Sequence, residues 1–321
     1  MDALLDVLRT IRLSGGLFLE ADFSAPWCVL SEVVPDDFPR DIAPPAHVVA
    51  YHYVVEGRLM LSVDGEPKKL VDAGSIIVFP RNARHRLGSG SDGIAVPMDD
   101  LIQSGDAGGL ARIDFGGGGQ ATRILCGYLG SDTPGHPIFA ALPKVMTLDV
   151  SDGASGNWIE SSIRYAATEL ETRRTGSISI LSKLAELLFV EAVRRYADSM
   201  PCGQSGWLSG LRDPSIGRAL ALVHGQTARR WTAVELAREA GLSRSAFTDR
   251  FIALIGVPPI RYLAQWRLQN AAAQLRDTTD TIAKIAYESG YESEAAFSRA
   301  FKRAFGSPPA TWRRQALGTA A

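Results

Sequence analysis

Cysteine is scarce in this chain. Three of its 321 residues are Cys (Cys28, Cys126, Cys202), widely scattered and without a Cys-x-x-Cys pair. An odd, dispersed set argues against a disulfide scaffold. Long apolar runs are missing too: none approaches the ~18 residues of a membrane span. The start, Met1-Asp2-Ala3-Leu4-Leu5-Asp6, carries acids where an export signal begins with bases. These absences lead us to expect a protein of the reducing cytoplasm with no membrane partner. Disorder is excluded as well, because 46% hydrophobic and 21% charged residues are ordinary for a folded chain. The length suggests two domains of ~150 residues each.

The formal net charge of −1 hides an asymmetry. Residues 207–321 carry 16 basic and nine acidic residues, a net of +7, and the remainder carries 18 and 26, a net of −8. A basic module on an acidic one points to a polyanionic partner for the C-terminal part alone.

That part contains a repeat at an offset of about 50 residues. The first copy runs Thr232-Ala-Val-Glu-Leu-Ala-Arg-Glu-Ala-Gly241-Leu-Ser-Arg-Ser-Ala-Phe247, then Arg250-Phe251 and Gly256-Val-Pro-Pro259. The second runs Thr281-Ile-Ala-Lys-Ile-Ala-Tyr-Glu-Ser-Gly290, then Phe297, Phe301 and Gly306-Ser-Pro-Pro309. Each reads as helix, tight turn, helix. Val234, Leu236, Ala237 and Ala240 recur at helical spacing. Gly241 suits a left-handed position after a helix, and Ser243 suits the cap of the next one. Phe247 and Phe251, like Phe297 and Phe301, fall on the core side. The opposite face shows Arg244, Ser245, Thr248, Asp249 and Arg250 in the first copy, and Glu294, Ala295, Ser298, Arg299, Lys302 and Arg303 in the second. Between the copies, residues 259–275 read as one helix of roughly 26 Å. It could hold two recognition helices about one DNA turn, ~34 Å, apart.

Residues 212–315, and above all the second copy through Tyr291, Ser293, Phe305 and Pro308-Pro309, resemble the DNA-binding domain of the AraC family of bacterial transcription regulators. The resemblance implies base-facing positions at Ser245, Thr248, Asp249, Glu294, Ser298 and Arg299. Arg244, Arg250, Lys302 and Arg303 are then the phosphate candidates. Asp249 departs from the expected basic or amide residue; an acid there accepts from cytosine N4 or repels phosphate.

The acidic part has period-two patterning. Residues 48–56 and 58–63 read as strands, with Asp64-Gly65 as a hairpin turn. Gly74 to Pro80 reads as a short buried strand and 122–130 as another, which together suggest a jelly roll. Gly74-(x)5-Pro80-x-Asn82-x-x-His85 resembles the second cupin motif, with Asn82 in place of Gly; Tyr53 to Gly57 resembles the end of the first. Gly116-Gly-Gly-Gly119, Arg123 to Gly127, His136-Pro137 and Leu142-Pro143 extend the likeness to the cupin-type sensor of one AraC-family branch. The implied fold class is α+β: a cupin-like β jelly-roll barrel with flanking helices over 1–198, a linker over 199–211, and an all-α domain of two helix-turn-helix units over 212–315.

Four of the five histidines, His47, His52, His85 and His136, lie in the barrel part. Cupins hold metals on inward His side chains, and His52, His85 and Cys126 would suit zinc. The alternatives are a metal-free effector pocket around His47, His52, His85 and Cys126, and a redox thiol at Cys126. Helices are expected at 157–171 and 178–196. The second carries an apolar stripe (Ile180, Leu181, Leu184, Leu187, Leu188, Val193) that would pack on the barrel or form a dimer. The reading is a regulator that binds promoter DNA, responds to an unknown small-molecule, metal or redox signal, dimerises, and meets RNA polymerase where it activates. It requires no catalysis. The rival is a cupin metalloenzyme with a DNA-binding tail.

Overall fold

All eleven strands described in the computed structural model precede residue 150, and nine of its ten described α-helices follow it. The structure describes residues 13–34, 45–90, 93–103, 111–131, 137–150, 177–200 and 206–318, together with 158, 161, 162 and 165. The strands are β1 (Leu13–Ser24), β2 (Cys28–Ser31), β3 (His47–Glu56), β4 (Arg58–Val63), β5 (Lys69–Asp72), β6 (Ser75–Phe79), β7 (His85–Gly88), β8 (Val96–Pro97), β9 (Ala111–Gly116), β10 (Ala121–Ser131) and β11 (Met146–Asp149). One sheet has six strands in the order β11-β6-β3-β10-β1-β9, the other five in the order β5-β4-β7-β2-β8. Pairing is antiparallel except between β1 and β9 and between β2 and β8.

Alternation builds the barrel core. Leu19, Ala21 and Phe23 on β1, Ala50 and Val54 on β3, Leu59, Leu61 and Val63 on β4, and Ile77 and Phe79 on β6 enter one cluster with Ile124 and Cys126 of β10. Every second residue of a strand faces the same way, so this set fixes which neighbours share the interior. His52 lies between Ala50 and Val54 in that alternation and is buried. The Asp64-Gly65 turn joins β4 to β5 as expected, with Gly65 at φ 80°.

Asn82 occupies a left-handed position at φ 49° after β6. That explains how Asn replaces the motif glycine, since Asn tolerates this region better than other side chains. Its amide also does what glycine could not: Oδ1 accepts from Val33 N at 3.1 Å, and Nδ2 donates to Val33 O at 2.7 Å. Asn82→Gly should cost about 1–2 kcal/mol through those two bonds. Asn82→Ala should cost about 1 kcal/mol more through backbone strain. Urea unfolding of the two variants beside wild type checks the order; Asn82→Gly as stable as wild type would remove the role given to the Val33 pair.

The helices are α1 (Pro137–Ala141), α2 (Ser177–Ser199), α3 (Trp207–Arg212), α4 (Pro214–Gly225), α5 (Ala233–Glu239), α6 (Arg244–Ile255), α7 (Pro259–Asp277), α8 (Ile282–Glu288), α9 (Glu294–Phe305) and α10 (Pro309–Gly318). Contacts group Leu13–Pro134 and Leu142–Asp198 as one unit, and Ser199–Ala321 with Gly135–Ala141 as the other. The stretch 207–211, expected as the end of a linker, is instead helical, with Trp207 and Leu208 buried. Trp207 anchors it: its indole donates to Tyr262 Oη at 2.7 Å. Cys202, His136 and most of the helix expected at 157–171 lie outside the described residues.

Helix α2 turns a different face inward than its leucines suggest. Ala185, Phe189, Ala192, Val193 and Ala197 are buried, whereas Ile180 and Leu187 are 40% and 48% exposed. Arg195 ties the helix to the barrel by donating to Asp149 O at 2.8 Å. Phe189 and Val193, the latter from the expected stripe, fill the buried face with the three alanines, and Leu184 and Leu188 lie half-buried at its edge. Among the described residues no helix is long and apolar enough to cross a membrane.

Candidate nucleic-acid interface and barrel site

Both repeat copies fold as helix, turn, helix through local chemistry. In the first, Thr232 and Glu235 form a reciprocal cap: Glu235 N donates to Thr232 Oγ1 at 3.2 Å, and Thr232 N donates to Glu235 Oε2 at 2.9 Å. Two otherwise orphaned N–H groups are satisfied in this way. Gly241 ends α5 at φ 72°, and Ser243 caps α6 by accepting from Ala246 N. In the second, Thr281 caps α8, Gly290 turns the chain at φ 78°, and Ser293 caps α9. Phe247, Phe251, Phe297 and Phe301 are wholly buried. With one flank of each second helix so anchored, the other faces solvent.

On that solvent flank of α6, Arg244, Ser245, Asp249 and Arg250 are exposed and Thr248 is half-buried. Thr248 spends its hydroxyl proton on Arg244 O at 2.8 Å, leaving a methyl group and lone pairs outward. Arg250, expected to face phosphate, is engaged by Asp213: Nε and Nη2 donate to Oδ2 at 2.8 and 2.5 Å. Asp213 also caps α4, accepting from Ser215 N and Ile216 N. Burial pushes its carboxyl up, but the helix-start N–H groups and Arg250 outweigh that and hold it below the usual range. Arg250 is therefore a strut between α6 and α4. On α9, Glu294, Arg299, Lys302 and Arg303 are exposed and Ser298 is half-buried. The positive charge of the two solvent faces is concentrated on the second.

Strand register creates the barrel site. β3 pairs with β10 so that His52 stands directly opposite Cys126. His85 comes from β7 in the other sheet. His52 Nδ1 lies 2.9 Å from Cys126 Sγ, and His52 Nε2 lies 2.7 Å from His85 Nε2. His85 Nδ1 lies 2.8 Å from Ala83 O. That carbonyl only accepts, which assigns every proton in turn. His85 donates from Nδ1, so its Nε2 accepts from His52 Nε2–H. His52 Nδ1 then accepts from the Cys126 thiol. The result is one directional chain, Cys126 to His52 to His85 to Ala83, spanning both sheets. All three side chains are buried. Burial and the neighbouring His85 keep His52 well below its ordinary pKa, burial lowers His85 to about 4, and burial pushes the Cys126 thiol up to about 12. The chain is therefore neutral at neutral pH. Phe79 stacks on His85 at 3.6 Å between ring centroids and holds its plane.

Zinc, expected on His52, His85 and Cys126, does not fit this arrangement. Two nitrogens at ~2.0–2.1 Å from one tetrahedral ion stand ~3.3 Å apart. Here they are 2.7 Å apart, and the sulfur lies on the opposite ring nitrogen. Among the described residues no group of three or more His, Cys, Asp or Glu side chains is disposed to hold a metal. His47 does not join the cluster. Five positions from His52, it faces the other side of the strand, where its Nε2 lies 2.7 Å from Pro80 O. The sequence offered no signal for the Asp213–Arg250 strut or for the register that unites Cys126 with His52.

A cupin-like barrel and two helix-turn-helix units on one long helix define a DNA-binding regulator with a sensory domain. Known proteins agree. The cupin family matches residues 2–198, and a helix-turn-helix domain family matches residues 236–315. An AraC-like transcription regulator of Streptomyces lividans is 33% identical over 98% of both chains. Another, from Streptomyces antibioticus, is 30% identical over 99% of this chain and 100% of its own. The transcriptional regulator AlkR of Acinetobacter baylyi is 34% identical over 56% of this chain and 59% of its own. The chain belongs to the AraC family of transcription regulators.

Proposed function

We propose that this regulator binds promoter DNA as a homodimer and registers its signal at the Cys126–His52–His85 chain. The observation that carries the reading is that the chain is a hydrogen-bonded tie between the barrel's two sheets made entirely of buried side chains. A small molecule or oxidant that engages Cys126 or displaces either imidazole leaves buried polar groups unpaired, so the barrel must rearrange to satisfy them. The exposed pair Ile180 and Leu187 on α2 supplies the dimer contact, and α6 and α9 enter successive major grooves. The protein acts in the cytoplasm and meets RNA polymerase where it activates. It performs no catalysis: its relatives are regulators, and the three buried groups are neutral and engaged with one another.

Breaking the chain by substitution should mimic the signal, which removes the need to know the effector. Cys126→Val and His52→Leu should each shift affinity for an operator selected from random duplexes by about fivefold or more, in the same direction. Cys126→Ser keeps a donor to His52 and should bind as wild type does. Gel-shift titration of the full chain at fixed salt decides. Unchanged affinity in both chain-breaking variants would sink the proposal.

A further inference from the structure

The two helix-turn-helix units are alike in sequence, but their turn glycines have different surroundings. Gly241 and Gly290 both sit at positive φ, 72° and 78°. Around Gly241 there is open space: a Cβ there would meet nothing within 4 Å. At Gly290 a Cβ would lie 2.8 and 2.9 Å from the Arg267 guanidinium and 3.0 Å from Ala228 O. Asparagine tolerates the backbone conformation as well as any side chain does, so conformation alone does not demand glycine at both turns. Gly290 carries a second requirement, room for Arg267.

Arg267 belongs to α7, the helix that joins the units. Its Nε donates to Thr227 O at 2.9 Å, and its Nη2 donates to Arg229 O at 2.8 Å. Those carbonyls lie in the segment that leads into α5 of the first unit. One guanidinium thus grips the entry to the first unit while the turn of the second rests on it. Beside it, Arg230 Nη1 meets Glu292 Oε1 at 2.8 Å, a second link between the same two segments. Arginine suits such a place because its planar fork satisfies two carbonyls at fixed angles. The second unit has a comparable grip on its own entry. Arg313 of α10 donates to Leu275 O and Asp280 O. No turn of the first unit rests on that one.

We propose that Arg267, seated under Gly290, fixes the mutual orientation of the two helix-turn-helix units and thereby sets the half-site spacing this regulator accepts. The inference rests on α6 and α9 both entering DNA. Arg267 is a positioning residue and touches no base. When two binding modules are joined, the second binds at an effective concentration set by the stiffness of the join. Loosening the brace lowers that concentration and widens the range of spacings reached. Affinity for either half-site alone is untouched.

The test uses the full chain and an operator selected from random duplexes, with variants in which one half-site is scrambled or one or two base pairs are inserted between halves. Wild type should lose about tenfold on insertion. Arg267→Ala should bind the selected operator about tenfold more weakly than wild type, lose only about twofold more on insertion, and bind scrambled probes as wild type does. Gly290→Ala should reproduce that tolerance. Gly241→Ala has the same backbone cost without the collision and should keep the wild-type spacing preference. Arg230→Ala and Glu292→Ala remove side chains that are 69% and 77% exposed, so they leave the fold intact. They should show the same tolerance in weaker form, with a loss of about threefold, restored by joining Arg230→Glu to Glu292→Arg. Spacing discrimination equal to wild type in Arg267→Ala and Arg230→Ala overturns the proposal. A wild type indifferent both to insertion and to scrambling of one half-site overturns instead the reading that both helices enter DNA.

Discussion

Between about pH 7.5 and pH 5 the barrel should lose about 2 kcal/mol of stability through His85 alone. An unfolded imidazole takes its proton near 6.5, whereas burial holds His85 near 4 in the fold. Between those values the unfolded chain binds a proton that the folded chain refuses. Stability is therefore complete above the unfolded value and drains away as pH falls through that window. His52 shifts in the same direction, by burial and by His85, and deepens the loss. Cys126 takes no part, because its thiol stays protonated up to about 12. The cost has a structural source: His85 accepts through Nε2 and donates through Nδ1, so a second proton on the ring faces the His52 N–H. Urea unfolding of wild type and His85→Gln at both pH values separates this from the general effect of acid on surface carboxylates. The variant should be less stable at neutral pH and lose less on acidification. Equal pH dependence in the two proteins would show that the chain does not govern it.

What the sequence announced and what it concealed divide along contact distance in the chain. The helix-turn-helix units were legible because each of their devices is local. Thr232 and Glu235 are three residues apart, Ser243 caps the turn that follows it, and Phe247 and Phe251 are one turn apart. A second copy with the same spacing checked the first. The hairpin at Asp64-Gly65 was legible for the same reason. β1 was not, since its partner β10 lies about a hundred residues away and its glycines, Gly15 and Gly16, carry no apolar alternation. His52 and His85 could be named because they sit on the two strands that resemble the cupin motifs, and Cys126 because it lies on a third strand. That they form a chain and not a chelate depends on which ring nitrogen meets which partner, and no spacing encodes that. His47 shares only its residue type with them, because an odd separation from His52 places it on the other face of the strand. On α2 the leucines mark a face turned from the buried one, where Ala185 and Ala192 lie beside Phe189 and Val193. Arg250 and Arg267 each find their partners more than 30 positions away, through contacts made only after the helices pack.

Replacing Arg299 by alanine should weaken binding to the selected operator by about 5–150-fold, the 1–3 kcal/mol of one good base contact. Its exposed place on α9, two turns in from the Ser293 cap, puts its guanidinium where the N-terminal half of a recognition helix meets base edges. The loss should be unequal among sequences, so that operators mutated at one base pair bind the variant as well as the parent operator does. Lys302 lies three residues on, past the groove floor, and should behave differently. Lys302→Ala should weaken all duplexes alike and reduce the slope of log affinity against log salt by about one. Arg250→Ala is the internal control: a third cation on the same kind of helix, but bound to Asp213. It should lower thermal stability and leave the salt slope where it was. Gel-shift titrations of the three variants over a salt series read all of this at once. An Arg299 variant that loses affinity equally for every sequence would move that residue to the phosphates. An Arg250 variant with a reduced salt slope would show that the Asp213 strut opens on DNA. Asp249 then becomes the informative position of the first unit. Its carboxylate cannot approach phosphate without repulsion, and a cytosine amino group is the base-edge donor it can accept from. Asp249→Asn should bind more tightly to non-specific duplex, by removing the repulsion, while discriminating less against operators in which that cytosine is replaced.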